Sequence, residues 1–383
     1  MKKQLEENQT KDLLSRIGIV VVASIIGGII GLGSAILMDK SGYNVYSLVQ
    51  FVLYFILFIA AFMLQIILHE LGHLIFGLYS GYRFTSFRIG TLTFIKEDEK
   101  IVLKKFNIPG TAGQCLMMPL DGNSCDCPYV LYNLGGILMN TLVSCLCLVI
   151  YTLFPMPEII RAFLYFVAIS GLYDLIMNGV PMKIGGISND GYNIISIKKD
   201  KVVRNSYYTQ LMVNGLLYQG VRMKDIPFKY FEIPQGANLN NPMIGVIKCF
   251  EGSYYHDRKE FDKAKECFEN LLNDAPKLIG LLKNEIKCEL LFYEIIGECR
   301  KEVIDELYTK KLKKYIKATN CFIGRKRLMY AYALIIEEDK AKADKILKEM
   351  DKVKKTYPVK SEIESELEII EFINEKYVLD MEN

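Results

Sequence analysis

Two of the chain's three histidines, His69 and His73, flank Glu70 in the pentapeptide His-Glu-Leu-Gly-His. Residues four apart on a helix share one face, about one turn apart. Two imidazoles so placed can both reach a zinc ion at about 2.0–2.1 Å. Glu70 is angled off that face, where it can reach a water beside the ion without being a ligand. Zinc lowers the pKa of such a water toward about 7, and a carboxylate can then take its proton. The chemistry indicated is metal-assisted hydrolysis. The plainer alternative is a polar cluster that hydrogen-bonds neighbouring helices. Gly72 leaves room for another helix to approach closely.

Hydrolytic zinc usually takes a third protein ligand and keeps one position for water. His256 lies far along the chain, in a hydrophilic region, and is set aside. Two acids are candidates. Asp174 interrupts an apolar run. Asp190 follows the broken stretch Asn178-Gly179-Val180-Pro181…Ser188-Asn189-Asp190-Gly191. Glycine and proline unwind backbone there, which membrane proteins allow where protein or a cavity covers it. Residue types alone leave both acids open.

The elements around these residues are apolar. Residues 1–199 carry 15 Lys/Arg and 13 Asp/Glu, and residues 200–383 carry the other 32 and 31, out of 47 and 44 in all. The first half reads as membrane and the second as soluble. The formal charge of +3 and the even balance exclude a globally basic nucleic-acid binder, and 51% hydrophobic residues exclude bulk disorder. Four runs are candidate spans: Ile17–Met38, Ser41–Leu68, Pro128–Pro157, and Ala162–Tyr173 continuing through Asp174 to Met182. The first is not a cleavable signal, because acids flank it and its apolar run is too long. Lys and Arg concentrate in the N-terminal flank, in Arg83–Lys105 and after span four, which places both termini in the cytoplasm. The expected location is integral to a bacterial cell membrane. At 1.5 Å per residue from Tyr46, His69 lies roughly 35 Å along its helix, toward the cytoplasmic side.

Arg83–Ile95 and Ile101–Phe106 read as a hairpin about the charged turn Glu97-Asp98-Glu99-Lys100. Ile108–Leu120, apolar and broken by Pro109, Gly110, Gly113 and Pro119, reads as a segment dipping back into the membrane. This unit is expected to offer an edge strand to an unwound substrate, with a plain structural hairpin as the alternative. The ten cysteines are scattered and mostly on the reducing side. Cys125 and Cys127, near Cys115, could hold a second ion, but two loop thiols is the simpler reading.

At this point the chain resembles the site-2 proteases, zinc metalloproteases that cut within membranes. The resemblance rests on His-Glu-Leu-Gly-His, on Gly136-Ile137-Leu138-Met139-Asn140, and on Asn178…Pro181…Asp190-Gly191, and covers roughly residues 48–195. It implies a Zn2+ cofactor held by His69, His73 and Asp190, with Glu70 as catalytic base. It further implies substrate contacts from Asn140 and Asn178, for which a helix–helix hydrogen bond is the competing role. The chain departs from the family in the longer spacing from Pro181 to Asp190 and in lacking a proline near Asn140.

Beyond residue 200 the pattern is helical with charged faces. Helices opening at Phe261 and Lys340 end near Pro276 and Pro358, 82 residues apart, or two steps of about 41. A middle pair fits near 280–319. This resembles tetratricopeptide-type hairpins, which present concave surfaces to peptides or proteins. A helical bundle that only supports the membrane part is the alternative.

The expected fold is mainly α: a polytopic helical membrane domain of four spans with a small β-hairpin element, plus a soluble α-helical repeat domain. Its bounds are 1–199 for the transmembrane metalloprotease domain, 200–242 for a helix and linker, and 243–383 for the cytoplasmic repeats. The expected partners are a membrane-embedded protein or peptide substrate, the lipid bilayer, and a cytoplasmic protein or peptide on the repeats, with no nucleic acid. A non-proteolytic zinc-binding membrane adaptor is the second reading. A transporter is a weaker third, for want of inverted repeats.

Overall fold

The structure, a computed structural model, describes residues 47–97, 100–120 and 128–377. The expected first span, Ile17–Met38, and the Cys125/Cys127 pair lie outside the described residues. The described chain divides into two compact units. One takes residues up to Phe76 with Val130–Ile194, and the other takes Gly77–Tyr129 with Ile195 onward.

Three helices of the first unit are long and apolar enough to cross a membrane. They are α1 (Ser47–Tyr79), whose last residues pass into the second unit, α2 (Tyr129–Leu153) and α3 (Glu158–Asp174), which reaches spanning length through its continuation Leu175–Gly179. They are arranged with polar and small residues inward and apolar ones outward. On α1, Tyr54, Ala61, Gln65, His69, Gly72 and His73 are buried at helical spacing, while Phe51, Phe55, Ile56, Ile59, Met63 and Ile67 are exposed. That is the pattern expected where lipid covers the outside and the bundle interior satisfies polar groups. Gln65 illustrates it: fully buried, it donates through Nε2 to the Val167 carbonyl at 2.8 Å.

Close approach needs glycine at two crossings. A Cβ on Gly72 would stand 2.6 Å from the carbonyl carbon of Gly135, so α1 and α2 touch backbone to backbone. One on Gly171 would stand 2.8 Å from Cδ of Gln65. The opening that sequence assigns to Gly72 is therefore filled by α2.

The second unit holds a four-stranded antiparallel sheet, in the order β3-β2-β1-β4. The strands are β1 (Arg83–Ile89), β2 (Leu92–Glu97), β3 (Lys100–Lys105) and β4 (Gly113–Met118). Phe87 faces Phe94 on one side and Cys115 on the other. Ile108–Leu120 is a loop leading into a strand, Gly113–Met118, whose backbone groups are satisfied by β1. One expectation is corrected here. Arg83–Ile95 is itself a hairpin, and both its strands are interior, so the free edges belong to β3 and β4. Arg88, 2% exposed, ties the first turn to β4 by donating to the carbonyls of Gly90 at 2.9 Å and Gly113 at 3.3 Å.

The sheet packs on helices of its own unit. A Cβ on Gly215, in helix Lys201–Tyr218, would strike Met118 at 2.5 Å. Phe106 meets Tyr357 edge-on at 5.1 Å, and Glu97 pairs with Lys104 at 2.6 Å and Lys360 at 2.8 Å. Helices follow at Pro242–Asp257, Phe261–Asp274, Gly280–Ile296, Ile323–Ala331, Lys340–Lys354 and Lys360–Tyr377. The helices opening at Phe261 and Lys340 begin where expected. Asn241 caps the first of the series by accepting from Met243 N at 3.1 Å, with Pro242 at the first helical position. Between 280 and 318 the expected pair is replaced by three helices. Gly297 and Cys299 (φ 54°) end the Gly280–Ile296 helix. Lys301–Leu307 follows, and Thr309 then caps Lys310–Ala318 by accepting from Leu312 N at 3.2 Å.

Candidate metal centre

Helix α1 puts His69 and His73 on its buried face, each 9% exposed. Their rings meet edge-on with centroids 4.7 Å apart and their Nε2 atoms 3.1 Å apart. Nδ1 of His73 lies 2.7 Å from the carbonyl of Tyr132 at the start of α2. That carbonyl can only accept, so the ring proton sits on Nδ1 and Nε2 presents a lone pair, the arrangement typical of metal-binding imidazoles.

The third member comes from after α3. Leu175–Gly179 is a π-helical turn that ends the helix at Val180. Lys183–Ile184 and Ile187–Ser188 then pair as a small ribbon about Gly185 and Gly186, both at positive φ. A two-residue Gly-Gly turn is a favoured hairpin connection because both positions need φ > 0. Here lies the physical meaning of the long Pro181–Asp190 spacing. The added residues fold back on themselves and return the chain to its starting point, with Asn189 N donating to Met182 O at 3.1 Å.

Asn189 fixes the return. Its Oδ1 accepts from Met182 N at 3.1 Å and Tyr192 N at 2.9 Å, and its Nδ2 donates to the carbonyls of Met177 at 2.7 Å and Val180 at 2.6 Å. It caps helix α4 (Asp190–Lys199) and closes the loop with a single side chain. Gly191 presses on Gly179, whose carbonyl carbon would be 2.9 Å from an added Cβ. Asp190 is thereby aimed at the histidines: its Oδ2 lies 3.2 Å from Nε2 of His69 and 3.4 Å from Nε2 of His73.

Three donor atoms at 2.0–2.1 Å from one tetrahedral ion stand about 3.3 Å apart. The observed separations of 3.1, 3.2 and 3.4 Å match that spacing. Among the described residues, His69, His73 and Asp190 are the group of His, Cys and acidic side chains whose atoms converge closely enough to hold a metal ion. The donor set, two imidazoles and one carboxylate, suits zinc with a position left open.

Asp174 is not in that group. It is 6% exposed, and its Oδ2 accepts from Asn140 Nδ2 at 3.0 Å. Asn140, fully buried on α2, thus makes a helix–helix hydrogen bond. Asn178 sits half-buried in the π-helical turn, one residue before the glycine that Gly191 touches. Glu70 is half-buried, one residue beyond His69. Gly136 lies against the His69 ring.

Sequence reasoning passed over Asn189 and the Tyr132 carbonyl. An Asn immediately before a helix start is a capping signal and could have singled out the first. A backbone carbonyl carries no signal in sequence.

The family model of Peptidase family M50 matches residues 57–370. The chain belongs to that family. The match runs through the whole histidine–aspartate cluster and most of the second unit. M50 peptidases, the site-2 proteases, are zinc metalloproteases, and with its three apolar helices this one is an integral membrane protein. Comparison with curated proteins and with solved structures found no match.

Proposed function

We propose that this M50 peptidase is an intramembrane zinc metalloprotease. It hydrolyses peptide bonds of membrane-embedded protein or peptide substrates near the cytoplasmic face of a bacterial cell membrane. The observation that carries this reading is the convergence of three donor atoms, from α1 and from the loop after α3, at the separations one tetrahedral ion requires.

In this reading His69, His73 and Asp190 hold zinc. Bound zinc supplies Lewis acidity and a water acidic enough to ionise near neutral pH. Glu70 would serve as the base that accepts a proton from the attacking water and returns it to the leaving amine. Tyr132 keeps the His73 tautomer, and Gly136 keeps the His69 ring in place. Asn140 holds Asp174 between two helices. Asn178, in backbone already released from α-helical pairing, is the substrate contact.

Three ligands rather than four support a catalytic role over the structural zinc site of an adaptor. The C-terminal helices, with both termini placed in the cytoplasm, are read as stacked repeats that engage a protein or peptide partner. The test is cleavage of a single-span peptide by detergent-purified enzyme and its Glu70→Gln variant. Zinc content should be equal and cleavage should fall by roughly 10²–10⁴-fold. Cleavage by the variant at the wild-type rate would defeat the reading.

A further inference from the structure

A cavity of about 370 Å³ lies within the helical part of the second unit, in the range of about 300–1,000 Å³ typical of small-ligand sites. Its apolar wall includes Phe250, Phe268, Leu282, Ile286 and Phe322. Its polar wall is unbalanced in charge. Glu285 and Glu289 of the Gly280–Ile296 helix and Glu362 and Glu366 of the last helix face only Arg325 and Arg327.

Both arginines are engaged in ion pairs, with Nη1 of Arg327 left without a hydrogen-bond partner. Arg325 pairs with Glu285, and Arg327 meets Glu289 and Glu366, each at 2.6 Å. Glu362 accepts only the Tyr357 hydroxyl, at 2.5 Å, and the influences on its carboxyl include no cation. Four carboxyl groups therefore face two guanidinium groups in a poorly solvated space. Burial, reinforced by Glu289 and Glu362 and opposed by Arg327, pushes Glu366 up to about 7.

A second observation is independent of the acids. His256, 7% exposed, lines the same cavity. Its Nδ1 bonds the Tyr293 hydroxyl at 2.8 Å, while its Nε2 has no partner. Burial, with Arg327 nearby, holds this ring neutral. A buried polar atom left without a partner costs free energy that a ligand can return.

We propose that this cavity binds an organic cation, a guanidinium or alkylammonium group on a slim apolar stem. The charged head meets the surplus carboxylates at Glu362 and Glu366, the His256 imidazole takes one hydrogen bond, and the stem lies on the phenylalanines. A bare metal ion does not fit, because these carboxylates do not converge as the histidine–aspartate cluster does. An anion is disfavoured by the excess of carboxyl groups over guanidinium groups. Glu285, 40% exposed, marks where the cavity meets solvent. The proposal does not depend on the metal centre.

A free small molecule and a basic residue of a peptide both carry such a cation, and titration calorimetry on the full chain in detergent separates them. The probes are n-butylguanidine, its neutral counterpart n-butylurea, and acetyl-Ala-Arg-Ala-amide with its citrulline analogue. Butylguanidine should bind saturably and butylurea at least about tenfold more weakly. Glu362→Gln, which keeps a partner for Tyr357, should weaken the cation about tenfold, while Glu364→Gln, at an exposed position on the same helix, should not. A peptide that binds more tightly than butylguanidine identifies a peptide source, and one that binds no better identifies a free cation. The proposal is overturned if neither cation binds saturably, if butylurea binds equally well, or if Glu362→Gln leaves binding unchanged.

Discussion

Gly136 and His69 are in direct register across two helices: a Cβ on Gly136 would stand 2.5 Å from Cε1 of the imidazole and 2.6 Å from both ring nitrogens. The glycine is a seat for the His69 ring. Gly136→Ala should force the ring off its position while leaving α2 helical. We expect zinc affinity to fall by about 10–100-fold with the melting temperature nearly unchanged. Competition with a chromogenic chelator measures the first and differential scanning fluorimetry the second. Unaltered affinity would mean the ring has another place to rest.

Asn189 closes the loop that carries Asp190. Asn189→Ala removes four hydrogen bonds, leaves carbonyls of Met177 and Val180 unpaired, and deletes a helix cap worth about 1 kcal/mol. Zinc affinity should drop by about tenfold or more although no ligand has been touched. Asn189→Asp, which keeps the two acceptor bonds and loses the two donor bonds, should fall between. Equal affinity in all three proteins would remove Asn189 from the positioning role.

Asn140 and Asp174 form a buried polar pair between α2 and α3. Asn140→Leu strands a buried carboxylate and should destabilise the membrane unit by about 1–3 kcal/mol. The double variant with Asp174→Leu should recover part of that loss, since an apolar pair leaves no orphan. A thermodynamic cycle of unfolding in detergent measures the coupling, and additive effects would show the two side chains to be independent.

Glu294 closes a charged cluster in the helical unit. Its side chain is 1% exposed and takes both Nε and Nη2 of Arg300 at 2.8 Å, and Lys265 at 3.0 Å. Hydrogen bonds from Arg300, then from Lys265, outweigh burial and hold the carboxyl down at about 2, against 4.5 unperturbed. A depressed folded value contributes stability that is complete above about 4.5 and is lost as pH falls toward about 2. Glu294→Gln should therefore lower the melting temperature at pH 7 and flatten its decline across that window. Parallel wild-type and variant curves would contradict the assignment.

Much of the centre was legible because its logic is local. His69, Glu70 and His73 share two helical turns, and the spacing states their chemistry without a fold. Gly136 and Asn140 could be placed on a helix, but which side chain each would meet depends on how α1, α2 and α3 cross, and no local pattern encodes that. Asp190 against Asp174 was undecidable from residue types, because the ribbon at Lys183–Ser188 is only two residues long on each side and its role is to cancel an insertion. The β4 strand was not legible for a related reason. Its apolar residues, Cys115, Met117 and Met118, are buried in the fold, and hydropathy alone does not say what covers such residues. The middle of the helical unit broke its expected period because Gly297 and the positive-φ Cys299 stop a helix early and a short helix, Lys301–Leu307, is inserted.

Zinc content decides the assignment of the centre. Elemental analysis of the purified wild-type chain, of Asp174→Asn and of Asp190→Ala should give about one zinc per chain in the first two and a clear deficit in the third. No zinc in the folded wild-type protein, or loss on changing Asp174 but not Asp190, would contradict the ligand set proposed above.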